Sequence, residues 1–242
     1  MSAIRVALSG WKGRMGQVIG PGLEREKDFA LVARVEAGDD LVAACKAARA
    51  EIVVDFTTPS AAVGNARAIL AAGCHGVVGT TGFRSEDLAD LDASAREAGR
   101  GILVAPNFAL GSILLQRLSV EAAKWFPRAE VVEYHHDGKV DAPSGTALRT
   151  ADLLAGAGAG GGPTGGRPGA RGHDAGGVHV HSVRLPGMLA HQEVLFGGTG
   201  EMLTLRHDAL SRECYLPGVI LGIRRIRERT GLVHGLEALM GS

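Results

Sequence analysis

The first hundred residues alternate short runs of β-branched residues with longer stretches rich in alanine and leucine. This alternation is typical of βαβ units, in which helices join parallel strands. It predicts five strands, at residues 4–9, 30–36, 52–57, 75–79 and 102–106. Helices are predicted between them at residues 15–27, 39–49, 60–72 and 85–98. The expected fold of this part is a doubly wound α/β domain with a parallel sheet.

After residue 107 the pattern of hydrophobic and polar positions changes. Helical spacing predicts helices at residues 109–126 and 145–155, on either side of a strand at residues 129–135. Residues 156–177 are mostly glycine, alanine and proline, cannot bury a core, and are expected to form a mobile loop. Three strand-like runs, at residues 178–185, 192–196 and 202–207, follow without intervening helices. They predict a second α+β domain on a mostly antiparallel sheet.

The last helical pattern, at residues 217–229, is apolar on one face and is expected to dock on the first domain. We therefore predict that residues 1–106 and 217–242 form one domain. Residues 107–216 form the other.

Composition narrows the class of protein. Lysine plus arginine and aspartate plus glutamate each number 26, so no net field attracts the chain to nucleic acid or to an anionic membrane. The three cysteines lie far apart without zinc-binding spacing, which indicates buried thiols in a reducing compartment. The N-terminal apolar run is too short for a signal peptide, and no run approaches the roughly 20 apolar residues that span a bilayer. We expect a cytoplasmic protein.

A glycine-spaced turn directly follows the first predicted strand and leads into a helix. Such a turn lets backbone amides and the positive end of the helix approach a pyrophosphate. Glu36, at the end of the second strand, is placed to accept hydrogen bonds from ribose hydroxyls. Because Ala37 rather than an arginine follows it, we favour NADH, with NADPH also accepted through Arg34 and the basic residues of the turn. The cofactor residues of the turn are Gly10, Trp11, Lys12, Gly13, Arg14 and Met15.

Two further loops follow predicted strands on the same side of the sheet. Ligands of open α/β sheets bind at that edge, so these loops are expected to line the ribose and nicotinamide. Taken singly, each is equally well explained as an ordinary polar turn. The residues concerned are Gly79, Thr80, Thr81, Ala105, Pro106, Asn107 and Phe108.

The segment from His135 to Ala147 concentrates titratable groups between a strand and a helix. Histidine can donate a proton near neutral pH, and Lys139 supplies a compact cation for a carboxylate. Ser144 is expected to cap the helix, and its backbone amide joins those of Gly145 and Thr146 in an anion site. The alternative is one packed histidine beside a capped helix start. We predict no metal site, because adjacent histidines point apart and no third ligand is near.

Several motifs together resemble those of the dihydrodipicolinate reductases, which reduce 4-hydroxy-tetrahydrodipicolinate. The resemblance extends through nearly the whole chain. Its most specific part is HHxxKxDAPSGTA at residues 135–147. The others are GxxGRMG at residues 10–16, VVDFT at 53–57, VVGTTGF at 77–83 and APNF at 105–108.

This resemblance implies a Rossmann-type dinucleotide-binding domain, and a central domain that binds substrate and builds a homotetramer. It implies hydride transfer from a nicotinamide to a cyclic dicarboxylate with loss of water. By the same resemblance His135 is the proton donor, Lys139 its catalytic partner, and His136, Gly145 and Thr146 hold the substrate carboxylate. Which of His135 and Lys139 delivers the proton stays open, as do two rivals, a different Rossmann reductase and a catalytically silent nucleotide sensor.

Two departures from the family pattern lie within its motifs. Asp137 and Gly138 fill the variable pair where relatives often carry a further histidine, and an acid there can bind Lys139 or influence a neighbouring histidine. Trp11 occupies a position in the glycine turn that is usually small.

Overall fold

The structure, a computed structural model, describes residues 3–160, 162, 166–167 and 169–241. Contacts divide the chain into two compact units. Unit 1 comprises Met1–Ala109 and Arg212–Ser242, and unit 2 comprises Leu110–Ser211. Within the described residues, every helix is too short or too polar to span a lipid bilayer.

The described residues form eleven strands, seven α-helices and two short 3-10 helices. The strands are β1 (Ile4–Ser9), β2 (Phe29–Val35), β3 (Ile52–Asp55), β4 (His75–Val78), β5 (Gly101–Val104), β6 (Arg128–His135), β7 (His173–Ala175), β8 (Val178–Arg184), β9 (Ala190–Gly198), β10 (Glu201–Ala209) and β11 (Gly231–His234). The α-helices are α1 (Gly16–Arg25), α2 (Leu41–Ala48), α3 (Pro59–Ala71), α4 (Ser85–Glu97), α5 (Leu110–Ala123), α6 (Gly145–Gly156) and α7 (Leu216–Ile226). Two short 3-10 helices span Arg212–Tyr215 and Leu236–Leu239.

Unit 1 is built on a sheet of six parallel strands in the order β2-β1-β3-β4-β5-β11. Every residue of β3 and of β5 is buried, as expected for parallel strands covered on both faces. The sheet turns back at β1, because β2 pairs on one side of it and β3 on the other. This confirms the predicted doubly wound, Rossmann-type sheet. Each of the five predicted strands and four predicted helices is found within two residues of its expected bounds.

The sixth strand, β11, has no counterpart in the prediction from sequence. It is four residues long and pairs with β5. Its extended conformation therefore depends on a tertiary neighbour rather than on a local pattern. Helix α7 packs on β4 and β5, and its Val219, Ile223 and Ile226 side chains are fully buried.

Unit 2 is built on a five-stranded sheet in the order β10-β9-β6-β8-β7. Only the β6–β8 pair is parallel, which confirms the mostly antiparallel sheet expected from the sequence. Helix α6 packs on β6 and β8, where its Ala147, Ala151 and Leu154 side chains are fully buried. The strand β6 turns Val131 and Glu133 toward the buried side.

The expectation of one mobile loop over residues 156–177 is wrong for part of that range. Helix α6 continues to Gly156, and a parallel bridge joins Gly160 to Arg128. Residues 173–175 form β7, which pairs with β8. The backbone hydrogen bonds of this pairing stabilise a strand that the composition of the segment does not predict. Residues 161, 163–165 and 168, which also belong to the predicted loop, lie outside the described residues.

Candidate active site

The predicted cofactor residues lie at the carboxyl edge of the parallel sheet of unit 1. Residues 10–15 follow β1, Glu36 follows β2, residues 79–81 follow β4 and residues 105–108 follow β5. The glycine turn lies where the strand order turns back, which is the ligand position of open α/β sheets. Loops separated by up to 98 positions therefore share one edge.

The glycine turn is tight because three of its positions leave little or no room for a side chain. Gly10 has a φ of +78°, and a Cβ there would lie 2.4 Å from the Phe56 carbonyl oxygen. A Cβ on Gly16 would lie 2.3 Å, and one on Gly13 3.2 Å, from the Gly10 carbonyl oxygen. The Gly13 N–H donates to that oxygen at 3.0 Å. The turn thus brings bare backbone to the start of α1, which is the geometry that accepts a phosphate.

Glu36 contacts the glycine turn directly. Its Oε1 accepts the Lys12 N–H at 2.5 Å, and its own N–H donates to Asp39 Oδ2 at 2.8 Å. A carboxylate offers about four acceptor positions, so the one bond from the Lys12 N–H leaves capacity for a ribose hydroxyl.

Trp11 packs beside α1 and β2. Its ring centroid lies 5.6 Å from Lys12 Nζ and 6.0 Å from Arg34 Cζ. Arg34 also pairs with Glu24. The indole borders a cavity of about 160 Å³ whose other lining residues are Leu8, Gly16, Gln17, Gly20, Pro21, Glu24 and Arg34. The hydrogen bond from the Gly13 N–H to the Gly10 carbonyl oxygen is present although Trp11, between them, is large.

A buried carboxylate, Asp55, joins the loops after β3 and β4. Asp55 is fully buried, and its Oδ1 accepts the hydroxyls of Thr57 at 2.9 Å and Thr80 at 2.8 Å. Its Oδ2 accepts the Asn65 amide at 2.7 Å, and the Thr57 N–H donates to the Thr80 hydroxyl at 2.8 Å. Asp55 has no role in the prediction from sequence, although an acidic residue that ends an apolar strand is a signal for such a network.

The loops after β4 and β5 share an aromatic support, Phe56. Its ring centroid lies 5.4 Å from that of Phe108, which is nearly fully buried. A Cβ on Gly79 would lie 2.1 Å from Phe56 Cε1, so the backbone of that loop rests on the ring. From the other side, α7 approaches closely, because a Cβ on Gly218 would lie 2.0 Å from the Phe108 carbonyl oxygen. Both loops are therefore fixed by packing.

The predicted catalytic and substrate residues lie in unit 2, where β6 ends and α6 begins. His135 is the last residue of β6, and Ser144 is the N-cap of α6, with its Oγ accepting the Ala147 N–H at 3.2 Å. The Ser144 N–H donates to Glu133 Oε1 at 3.3 Å. A Cβ on Gly145 would have no heavy atom within 4 Å. The first turn of this twelve-residue helix therefore has open space beside it, as an anion site requires.

Lys139 is held by Asp141, not by Asp137. Its Nζ donates to the two Asp141 carboxylate oxygens at 2.7 and 2.8 Å, which holds the pKa of Asp141 below its usual range. The expectation that Asp137 binds Lys139 is therefore wrong. The reason is a tight turn, closed by the Lys139 N–H donating to the His136 carbonyl oxygen at 3.1 Å, that leaves Asp137 and Gly138 exposed.

His136 and Thr146, two other predicted substrate-binding residues, are half-buried. A Cβ on Gly138 would lie 3.3 Å from His136 Nδ1, so the turn passes close to this imidazole. Within the described ranges, no group of three or more histidine, cysteine, aspartate or glutamate residues is arranged to hold a metal ion.

Glu133 is a second buried carboxylate, and it contacts His135. Its side chain is fully buried, and Arg184 on β8 donates from Nη1 to Oε2 at 3.0 Å and from Nη2 to Oε1 at 2.8 Å. His135 Nδ1 is hydrogen-bonded to Oε2. Burial raises the pKa of Glu133, but hydrogen bonds from His135, Arg184 and Ser182 outweigh it and lower that pKa to about 2. The prediction from sequence gives no role to Glu133 or Arg184, because only the β6–β8 register brings them together.

Comparison with known proteins decides the family. Residues 4–108 match the family model "Dihydrodipicolinate reductase, N-terminus", and residues 111–240 match "Dihydrodipicolinate reductase, C-terminus". The chain belongs to the dihydrodipicolinate reductase family. The resemblance drawn from the sequence motifs is thereby confirmed.

Relatives of the dihydrodipicolinate reductase family match along the whole chain. The 4-hydroxy-tetrahydrodipicolinate reductase of Moorella thermoacetica is 44% identical, with 99% of each chain covered. That of Mycolicibacterium vanbaalenii is 46% identical, with 98% of this chain and 99% of the relative covered. The solved structure of dipicolinate-bound dihydrodipicolinate reductase from Paenisporosarcina sp. TG-14 has a TM-score of 0.89 and 36% identity, and covers 98% of this chain and 100% of its own.

Proposed function

We propose that the chain reduces 4-hydroxy-tetrahydrodipicolinate to tetrahydrodipicolinate, with hydride from NADH or NADPH and loss of water, in diaminopimelate and lysine biosynthesis. Family membership makes the chain an oxidoreductase. The observation that carries the substrate assignment is the segment from His135 to Ala147, which keeps the family motif and surrounds the start of α6. The similar Paenisporosarcina structure holds dipicolinate, a planar dicarboxylate of the same class as the proposed substrate.

The carboxyl edge of unit 1 fits a dinucleotide, because close backbone packing at the buried Gly10 and Gly16 brings the exposed residues 12–14 to the start of α1. The amides of residues 10–15 bind the pyrophosphate, and Glu36 accepts hydrogen bonds from the adenosine ribose. Residues 79–81 and 105–108 line the nicotinamide half. When bound there, the reduced nicotinamide supplies the hydride.

We favour NADH, with NADPH also accepted. Arg34 is paired with Glu24, which leaves the exposed Lys12 and Arg14 as the cations for a 2′-phosphate. The ratio of kcat/KM values for the two cofactors measures this preference, and a clear excess for NADPH would reverse it.

The anionic substrate binds at the β6–α6 junction of unit 2. The backbone amides of Gly145 and Thr146 at the start of α6, together with His136, hold a carboxylate, and the Ser144 cap fixes the first turn. Lys139 supplies a positive charge beside this site once the substrate competes with Asp141 for its ammonium group.

The net reaction consumes one hydride and one proton and releases one water from the substrate. We assign proton donation to His135, whose ring lies at the end of β6 and is about one-sixth exposed. Lys139 is its catalytic partner and stabilises the negative charge that develops on the substrate.

We also propose that the chain is cytoplasmic and forms a homotetramer through unit 2. Unit 2 exposes several large apolar side chains that a subunit contact would cover, namely Leu114, Leu118, Trp125 and Met202. Light scattering on the pure protein should give the mass of four chains, and a monomer would contradict this assembly. Fractionation of the producing cells would test the location.

The reductase assignment is tested by generating the substrate in place from pyruvate and aspartate semialdehyde with the preceding enzyme. NADH absorbance should then fall at an initial rate proportional to the amount of this protein. An absorbance that does not change would overturn the assignment.

Two substitutions test the residue roles. His135→Ala and Lys139→Ala should each lower kcat by about 10²- to 10⁴-fold while the Kd for NADH changes little. The matched control is Val140→Ala in the same loop, whose side chain is 98% exposed and which should keep full activity. Equal loss of cofactor binding and turnover would argue against catalytic roles.

A further inference from the structure

Glu133 occupies an unusual place for a carboxylate. It lies on the buried side of β6, two residues before His135 and opposite Gln192 of β9 and Ser182 of β8. Its side chain has no solvent exposure. An ion in such a position is retained only when it is paired and hydrogen-bonded, so its partners show what it does.

Arg184 keeps Glu133 ionised. The guanidinium and the carboxylate meet in a two-bond fork, the strongest geometry available to this pair. Arg184 also donates from Nη2 to the Asp141 carbonyl oxygen at 2.6 Å and from Nε to the Lys139 carbonyl oxygen at 3.3 Å. One side chain therefore ties the buried carboxylate to the loop that carries Lys139.

The hydrogen bond from His135 to Glu133 fixes the tautomer of the imidazole. An ionised carboxylate can only accept, so Nδ1 of His135 must carry a hydrogen. In the neutral ring Nε2 is then the unprotonated atom, and in the charged ring Nε2 carries the transferable proton. The buried carboxylate thus determines which ring nitrogen can serve as the proton donor.

Among the described residues, Glu133 is the one anionic side chain that pairs with His135. The face of α6 packed on this sheet is uncharged, and the cross-strand neighbour on β9 is Ala190. The charged and titratable groups near this end of β6 on the Glu133 side are Glu133, Arg184, His136, Lys139 and Asp141. Tyr134, on the opposite side, contacts His191, Glu193 and Arg206.

We propose that Glu133 and Arg184 are positioning residues that hold His135 in the Nδ1–H tautomer, with Nε2 presented as the proton-donating atom. The proton passes from Nε2 to the substrate, and the ring is recharged from solvent at the same nitrogen. This inference rests on the proposed catalytic role of His135. Lys139 acts on the substrate side, while Glu133 and Arg184 act only through His135 and its loop.

The test measures the tautomer directly in the full-length protein, without substrate. Imidazole ¹⁵N chemical shifts, recorded where the ring is neutral, should show His135 mainly as Nδ1–H in the unmodified chain. In Glu133→Gln the population should move toward Nε2–H, and kcat should fall by about 10²- to 10⁴-fold with KM nearly unchanged. An unchanged tautomer in a folded Glu133→Gln protein would overturn the proposal.

Glu130→Gln is the matched control. Glu130 lies on the same strand, and its carboxylate is also hydrogen-bonded to a histidine, His181, at 2.8 Å. It points to the opposite side of β6, so this substitution should leave the His135 tautomer and kcat unchanged. A similar loss in both variants would indicate a general structural effect and overturn the proposal.

A double variant separates positioning from folding. Glu133→Gln leaves the Arg184 charge buried without its partner, whereas Glu133→Gln with Arg184→Met removes both charges and should restore the thermal midpoint. If the pair positions His135, the double variant folds but keeps the altered tautomer and the low kcat. Recovery of the original tautomer and of kcat in the double variant would show that the pair is only structural.

A separate result tests the proposed catalytic role of His135. If His135→Ala retains full kcat, the catalytic role of His135 is wrong, whereas the tautomer spectra still report whether Glu133 controls the ring.

Discussion

The two candidate sites are held by different kinds of interaction. At the carboxyl edge of unit 1, close backbone approach at Gly10 and Gly16 and packing on Phe56 set the shape. At the β6–α6 junction of unit 2, a buried ion pair of Glu133 with Arg184 sets the state of a titratable side chain. The first site therefore depends on volume, and the second on charge.

Asp55 and Glu133, two fully buried carboxylates, differ in the same way. Asp55 is fully buried among neutral donors, the Thr57 and Thr80 hydroxyls and the Asn65 amide. Glu133 is equally buried but is paired with a guanidinium and an imidazole. Asp55 therefore holds loops in place, whereas Glu133 also controls where a neighbouring group carries its hydrogen.

The sharpest test of the volume-dependent site is Gly10→Ala. A Cβ at this position would lie 2.4 Å from the Phe56 carbonyl oxygen, on a backbone with a φ of +78°. Overpacking and left-handed strain together should lower the unfolding free energy by about 2 to 4 kcal/mol. Displacement of the turn should also raise the Kd for NADH at least about tenfold, as measured by calorimetric titration.

Gly38→Ala controls for the strain alone. Gly38 has a φ of +96°, but a Cβ there would meet nothing within 4 Å. This variant should lose about 1 kcal/mol of stability and keep its NADH affinity. If both variants bind NADH equally well, the glycine turn is not shaped by close backbone approach.

Much of unit 1 could be predicted because its signals are local. Buried parallel strands produce apolar runs such as residues 52–54, and the helices between them are bounded by glycine, as at Gly99 after α4. β7 and β11 could not be predicted in this way. Each is three or four residues long and is extended only because it pairs with β8 or β5.

The residues of the candidate site in unit 2 also differ in whether the sequence predicts them. His135, Lys139 and the Ser144 cap belong to one continuous segment, so their chemistry is visible in the sequence. Arg184 lies 51 positions after Glu133 and reaches it only through the parallel register of β6 with β8. The pairing of Lys139 with Asp141 rather than Asp137 depends on turn geometry, which residue types alone do not determine.

A smaller effect is expected from Thr80→Val, which tests the Asp55 network. The change keeps the shape of the side chain but removes the hydroxyl that donates to Asp55 and accepts the Thr57 N–H. The buried Asp55 carboxylate and the partly buried Thr57 N–H then each lose a partner, so chemical denaturation should show a loss of about 1 to 3 kcal/mol. NADH affinity should fall with it if the network positions the loop after β4.

The control for Thr80→Val is Thr58→Val at the start of α3. Thr58 is exposed and makes no side-chain capping bond. Its replacement should change stability by less than about 0.5 kcal/mol. Equal effects of the two substitutions would mean that Asp55 gains nothing from the buried hydroxyl.

The smallest effect should come from an exposed ion pair, in contrast to the buried pair of unit 2. Arg224 on α7 pairs with Glu26 at 2.9 Å and Asp28 at 3.0 Å, and all three side chains are between 36% and 48% exposed. Its guanidinium also lies 5.3 Å from the Phe29 ring centroid. Because water and salt screen such pairs, Arg224→Gln should lower the unfolding free energy by only about 0.5 to 1 kcal/mol.

The pH dependence of this effect identifies its source. The hydrogen bond from Arg224 holds the pKa of Asp28 below its usual range, so the pair stabilises the fold above the unfolded-state pKa and loses that effect as pH falls through the folded-state pKa. The difference between Arg224→Gln and the unmodified chain in urea titrations should therefore shrink in acid and in high salt. Arg225→Gln, whose partner Glu228 lies 3.6 Å away at the surface, is the control and should change stability less. If Arg224→Gln were as damaging as loss of the Glu133–Arg184 pair, burial would not be what separates the two regions.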